Sequence, residues 1–333
     1  MIQKIRKTIA GTIMFGLLMT GTTSLAFAHQ AQAQQTQQQS QIETQQRITE
    51  IIQELLQALV DQIKELQQQA QQTSTADTYT LSFDTNLAEL EKGHYEGWVI
   101  VGDDKISTGK FNVGDSTEFT ISTDPDDVDL VAITIEPEGD TDDIPSGIIA
   151  LVGEISDGEV DLSFPVDFED ASARAILATP SDSDDSNETS GVWFVQVPGP
   201  EAGLDLPELP EGWIYEGWAV NQGVPLSTGK FSSNSGADDF GGFTADGNVP
   251  PYPGEDFLEN EPSGLDFPLD LADGDSIIVI SVEPNLDGTD PTGPGPAQAK
   301  PFVLHVEEDT QDHTNLDLEY NEDSLPSGTA TIK

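Results

Sequence analysis

The chain has 333 residues, no cysteine, and 12 basic against 61 acidic side chains, a formal net charge of −49. These counts exclude disulfide staples, thiolate catalysis, iron–sulfur clusters and cysteine-ligated zinc. So negative a chain repels a phosphate backbone, which removes nucleic acid as a partner, and at about 150 residues per domain the length predicts two folded units.

The first segment reads as an export signal. Lys4, Arg6 and Lys7 precede an apolar stretch over residues 9–28, which ends in Ala26-Phe27-Ala28 with small residues at the two positions a signal peptidase inspects. A second candidate cut follows Ala31-Gln32-Ala33. The other reading is an uncleaved anchor, because the stretch is just long enough to span a bilayer of roughly 30 Å; only in that case is the membrane a partner. With no cysteine after the apolar run, a lipoprotein anchor is excluded. Removal of residues 1–28 leaves 9 basic and 61 acidic side chains, a charge of −52. Salt screens such self-repulsion, so adaptation to a saline habitat and divalent-cation binding at acidic loops are equal explanations of it.

Residues 30–72 contain 18 glutamines in 43 positions. Ile48, Ile52, Leu55, Leu59, Ile63 and Leu66 recur at steps of 4, 3, 4, 4 and 3, which predicts an amphipathic helix within residues 29–76. Three readings stand: a helix packed on its own domain, a coiled coil self-associating through 42–66, or a linker that is only locally helical.

From Tyr79 onward, short β-branched and aromatic runs alternate with Gly, Pro, Asp and Ser clusters. Strands are predicted at 79–83, 95–101, 119–122, 130–136, 174–179, 191–197, 214–220, 276–283 and 300–306. Tyr95-Glu96-Gly97-Trp98 recurs as Tyr215-Glu216-Gly217-Trp218, and Ser107-Thr108-Gly109-Lys110-Phe111 as Ser227-Thr228-Gly229-Lys230-Phe231, both offset by 120. Ile133-Thr134-Ile135-Glu136-Pro137 answers to Ile280-Ser281-Val282-Glu283-Pro284 at an offset of 147, so the second copy carries 27 extra residues, expected as a surface loop within 241–268. Strand alternation is read with Trp98 and Ile100 on the core face. Gly109 is expected to permit a close approach or a bulge, and Glu-Pro to end its strand.

The run from Glu96-Gly97-Trp98 through Ser107-Thr108-Gly109-Lys110-Phe111, Val131 to Pro137 and Pro145-Ser146-Gly147 resembles the extracytoplasmic C-terminal domain of anti-sigma-K factors, over roughly 79–155 and again over 205–306. That resemblance implies a β-sandwich-like fold, an extracytoplasmic location and no enzymatic activity. At most eight residues precede the apolar segment here, where the family carries a sigma-binding domain.

Chemistry is sparse. Gly109-Lys110 and Gly229-Lys230 lack the upstream glycine and the following Ser/Thr of a phosphate loop. His94 has no counterpart in the second copy, where Ile214 stands, and His305 and His313 read as surface residues. Calcium is the one cofactor retained as an expectation, with Asp124, Asp126, Asp127, Asp129, Asp182, Asp184 and Asp185 as oxygen ligands; the alternative is a solvated acidic loop. Asp140 to Asp143 and Asp287 to Asp290 are similar clusters, none with EF-hand spacing.

The expected protein is mainly β: a signal peptide (1–28), a Gln-rich helical segment (29–76), and two tandem β-sandwich-like domains (77–199 and 200–333). Its expected role is that of a non-catalytic, exported structural or interaction protein, secreted or at the cell surface, with an unknown protein or envelope partner. The alternative is an extracytoplasmic sensory or regulatory module of envelope signalling, anchored by an uncleaved N-terminal segment.

Overall fold

The computed structural model describes Lys64 and residues 77–245, 249–286 and 290–333. The export signal, the cut sites, Asp287 and nearly all of the Gln-rich segment lie outside the described residues. Residues 77–333 form one compact unit that is almost entirely β. Among its described residues the helical elements are three-residue 3-10 turns such as Pro125–Asp127. The coiled coil is therefore withdrawn: Lys64 alone of its stretch is described, and no longer helical element stands among the described residues.

Strands are numbered in chain order; β10 (Val195–Gln196) and β11 (Glu201–Ala202) form a separate pair. The first sheet runs, neighbour to neighbour, β3 (Asp104–Phe111), β2 (His94–Val101), β5 (Leu130–Glu136), β6 (Ile149–Ser156), β7 (Glu159–Ser163), β19 (Ser327–Ile332), β1 (Tyr79–Thr85) and β4 (Glu118–Ile121). The second runs β14 (Val224–Phe231), β13 (Trp213–Asn221), β16 (Ile277–Pro284), β17 (Phe302–His305), β18 (Leu316–Tyr320), β8 (Ser172–Leu177), β9 (Val192–Trp193) and β15 (Gly254–Glu255), with β12 (Leu204–Asp205) added on β8. Every pairing is antiparallel.

Each sheet curls until its two end strands meet, giving two near-closed barrels, each around one apolar core. The seams differ. In barrel 1 the Phe119 ring lies 5.9 Å from Phe111 and occupies the place a side chain at Gly109 would take. In barrel 2 a carboxylate occupies the matching place at Gly229: that of Asp238, which accepts from the N–H of Gly254 at 2.8 Å, while Asp239 accepts from Lys230 N–H at 2.7 Å. Asp238 is pushed up to about 7 by burial.

The barrels do not divide at residue 200. Strand β8 and its neighbours Phe164, Val166 and Phe168 belong to the second core, whereas the C-terminal β19 returns to the first. Barrel 2 is thus contiguous over 164–326 and sits between β7 and β19 of barrel 1. Residues 241–268 are more than a surface loop: they contain β15, and they bury Phe257 completely within a cluster of Phe243 and Phe267 rings.

The Tyr-Glu-Gly-Trp repeat is explained residue by residue. Tyr95 and Tyr215 stack on Phe111 and Phe231 at 5.8 and 5.6 Å, and their hydroxyls donate to Ala88 and Pro207 carbonyls. Both glycines face a ring: a Cβ at Gly97 would lie 2.7 Å from Phe83, and one at Gly217 2.6 Å from Phe194. The inner face is Tyr95, Gly97 and Val99. Trp98 is buried on the opposite face, outside the apolar cluster, which corrects the core face expected for it; it shares that face with Glu96, as Trp218 does with Glu216. Gly97 pairs with Gly109 but Trp98 with Ser107, so Thr108 is the extra residue of a bulge, repeated at Thr228.

Gly97→Ala and Gly217→Ala should each destabilise the protein by about 1–3 kcal/mol, because the added methyl meets an aromatic ring in a packed core. Chemical denaturation checks this, and an unchanged midpoint would show that the rings have somewhere else to go.

Candidate functional site

Strand alternation puts polar residues on the outer face of the hairpin and its neighbour, twice. In register, Glu96 lies between Lys110 on β3 and Thr134 on β5, and Glu216 lies between Lys230 on β14 and Ser281 on β16. The tryptophans follow suit: Trp98 Nε1 donates to Thr134 Oγ1 at 2.8 Å and Trp218 Nε1 to Ser281 Oγ at 2.8 Å. Those hydroxyls donate onward to Glu136 and Glu283. Ser107 and Ser227 donate to Glu96 and Glu216. All four glutamates are almost fully buried.

Each network ends on a loop. Glu136 accepts from the Ser146 N–H at 3.0 Å; Glu283 accepts from the Ala297 N–H at 2.9 Å and from the Thr292 hydroxyl at 3.3 Å. The Glu-Pro dipeptide therefore does more than stop a strand. Its carboxylate fastens the Pro-Ser-Gly and Pro-Thr-Gly loops to the barrel wall. The lysines complete the fastening: Lys110 Nζ lies 2.9 Å from Asp140 and 3.7 Å from Glu96, and Lys230 Nζ lies 3.4 Å from both Asp290 and Glu216.

Burial pushes Glu136 and Glu216 above the usual carboxylate range and Glu283 up to about 7. The hydrogen bond between Lys110 and Asp140 raises the lysine and holds the aspartate down. Burial works against the charge of Lys230, but Glu216, Asp290 and Glu283 outweigh it and raise the group. His94 is lowered by burial and by Lys110.

Among the described residues, two sets of ligand-type atoms gather within 4.8 Å: His94, Glu96 and Asp140, and Glu216, Glu283 and Asp290. In each, a lysine ammonium already lies among the carboxylates. Asp140 and Asp290 come from the acidic runs singled out in the sequence; Glu96, Glu216 and Glu283 were passed over as strand residues, although their exact repetition at fixed spacing was the available signal. The seven expected calcium ligands stand elsewhere. Asp124 accepts from Asp126 N–H, Asp129 from Gly102 N–H, Asp182 from Asp184 N–H and the Asn187 amide, and Asp184 from Ser186. Asp126, Asp127 and Asp185 join neither set.

A family model, Anti-sigma-K factor rskA, C-terminal, matches residues 9–149. The match covers less than half of the chain. It takes in the apolar segment, β1 to β5 and the first network, from Glu96 to Ser146. This family is a regulatory module without catalytic activity. No curated protein and no solved structure gives a match. The likeness of the second barrel to the first rests on its strand order and its repeated residues.

Lys230→Met should destabilise by about 1–3 kcal/mol, because Glu216 loses the cation that, among the described residues, stands beside its buried carboxylate. Adding Glu216→Gln should recover most of the loss; denaturation of the single and double variants measures it. Folded Glu283 keeps its proton up to about pH 7, whereas the ordinary value is 4.5. Folding therefore takes up a proton between those values. The contribution is fully present below the lower value and is lost as pH rises through the upper one. Glu283→Gln should make the decline in stability between pH 5 and pH 8 shallower by about 1–3 kcal/mol, read from melting curves across that range.

Proposed function

We propose that this chain is a non-catalytic, extracytoplasmic regulatory module of envelope signalling, held at the membrane by its apolar residues 9–28. One observation carries the reading: the family match begins at residue 9, inside the apolar stretch, and runs on through β5. The apolar stretch is therefore aligned as part of the same unit as the barrel, as expected of an anchor and not of a discarded leader.

The fold suits such a role. β1 is the first strand after the N-terminal segment. It is held by β19, which reaches it only after the chain has passed through barrel 2; Thr80 and Lys333 exchange main-chain hydrogen bonds at 2.8 and 3.0 Å. The barrels are also joined through Asn86, whose carbonyl accepts from Gln298 at 2.9 Å, and through Pro291, whose carbonyl accepts from Glu91 N–H at 2.9 Å. A partner that engages barrel 2 thus acts on the first described strand that follows the N-terminal segment in the chain.

The second reading is a cleaved, secreted or surface-displayed interaction protein, favoured by the Ala26-Phe27-Ala28 cleavage pattern. Fractionation of the native host with N-terminal sequencing separates the two. The anchored reading expects a membrane-bound chain that resists high salt, is released by detergent and retains residues 1–28. A soluble chain beginning at His29 or Gln34 would decide for secretion.

A further inference from the structure

The two barrels have the same strand order once each strand is named by its position in its own copy, with one exchange. β8 follows β7 in the chain but pairs with β18 and β9; β19 follows β18 but pairs with β7 and β1. The two strands occupy equivalent slots. Leu177 faces Val192 as Ile332 faces Leu81, and Ala173 faces Leu318 as Gly328 faces Leu162. The last strand of each copy closes the other copy's barrel.

Side chains decide which strand fits which slot. In barrel 1, a Cβ at position 328 would lie 2.5 Å from the Asp84 carbonyl oxygen and 2.7 Å from Thr85 Cγ2. Only glycine fits there, and β8 carries Ala173 at that place. In barrel 2, Ile176 packs with Trp193, Val195 and Ala178 on an outer apolar cluster. β19 has Thr331 at that place, opposite Ser82. Barrel 2 holds every strand of its own within 172–320, so departure of β19 leaves it whole. Barrel 1 is then left with two open main-chain edges, along β1 and β7.

We propose that the slot between β1 and β7 is a strand-acceptor site selective for the segment Ser327–Ile332, and that a second copy of this chain fills it in trans when the resident strand leaves. Apart from the Asn86 side chain, which accepts from Ser327 N–H at 2.8 Å and donates to the Ser327 hydroxyl, the bonds that hold β19 run from main chain to main chain on both sides, so another copy's β19, which carries the same Ser327, satisfies them equally. The resident strand is tied to barrel 2 by residues 321–326 alone. Exchange of an identical element between protomers is a low-cost route to a dimer.

Because the native chain has no cysteine, single cysteines report the exchange. A chain with Ser82→Cys and a differently tagged chain with Thr331→Cys are mixed at high concentration, warmed to just below the first melting transition, cooled and oxidised. The proposal expects a disulfide-linked heterodimer on a non-reducing gel, and a roughly tenfold lower yield when the Thr331→Cys chain also carries Gly328→Ala. The double variant Ser82→Cys/Thr331→Cys, oxidised without warming, should close its own disulfide and form no dimer. Absence of a heterodimer while that variant closes normally would overturn exchange in trans. An equal yield when Ile176→Cys replaces Thr331→Cys would overturn selectivity for β19.

Discussion

A strand buried in a curled sheet must be paired along both edges, because an unpaired N–H or carbonyl there loses its water without replacement. The first copy's own last strand, β8, lies in barrel 2, so the slot between β1 and β7 must be filled from elsewhere, and this constraint organises residues 77–333. It draws the C-terminal strand back past the whole of barrel 2. It places Lys333 beside Thr80 and makes barrel 2 an insertion in barrel 1. Two short crossovers, 164–171 and 321–326, then tie the barrels, and Phe164 and Phe168 of the first crossover pack into the second core.

The charge of the chain sets a second problem. With 61 acidic and 12 basic side chains, most carboxylates have no cation to pair with. The protein uses hydroxyl donors instead. Ser107, Thr134, Ser227 and Ser281 serve the four glutamates of the twin networks, and Ser181 and Thr244 serve Asp256 and Glu255 around the inserted segment. A neutral donor relieves desolvation only in part, so Glu136, Glu216, Glu283, Glu255 and Asp256 all stand above the ordinary carboxylate range through burial. Lys110 and Lys230 are kept for the two places where a loop must be held to the wall.

Much of the β architecture was legible. The strands at 79–83, 95–101, 130–136, 214–220 and 276–283 announce themselves by alternation and β-branched content, and the bulge by a glycine repeated at the same spacing. Among the strands longer than two residues, β6, β7, β18 and β19 escaped. Glu159–Ser163 and Leu316–Tyr320 alternate, but with acidic residues and only two apolar side chains each facing inward. Ser327–Ile332 has the composition of a turn, and glycine is needed in it because the backbone of Asp84 is so close. Trp98 was assigned to the wrong face because a large apolar ring was expected to mark the core; its indole N–H instead selects the polar side, where Thr134 accepts it. The glutamates of the networks looked like solvent-facing strand residues, since nothing local to them reveals the loop that covers them.

What the order of residues determined by itself is local: the duplication, the alternation of each strong strand and the bulge. These follow from short-range sterics and from the period of side chains along a strand. What the tertiary structure alone decided is which strand closes which barrel and which carboxylates lose their water. The hydrogen bonds of pairing are alike for every strand, so the partner of an edge depends on which segments the rest of the fold brings beside it and on which side chains that slot admits, and burial depends on what is then laid over the face.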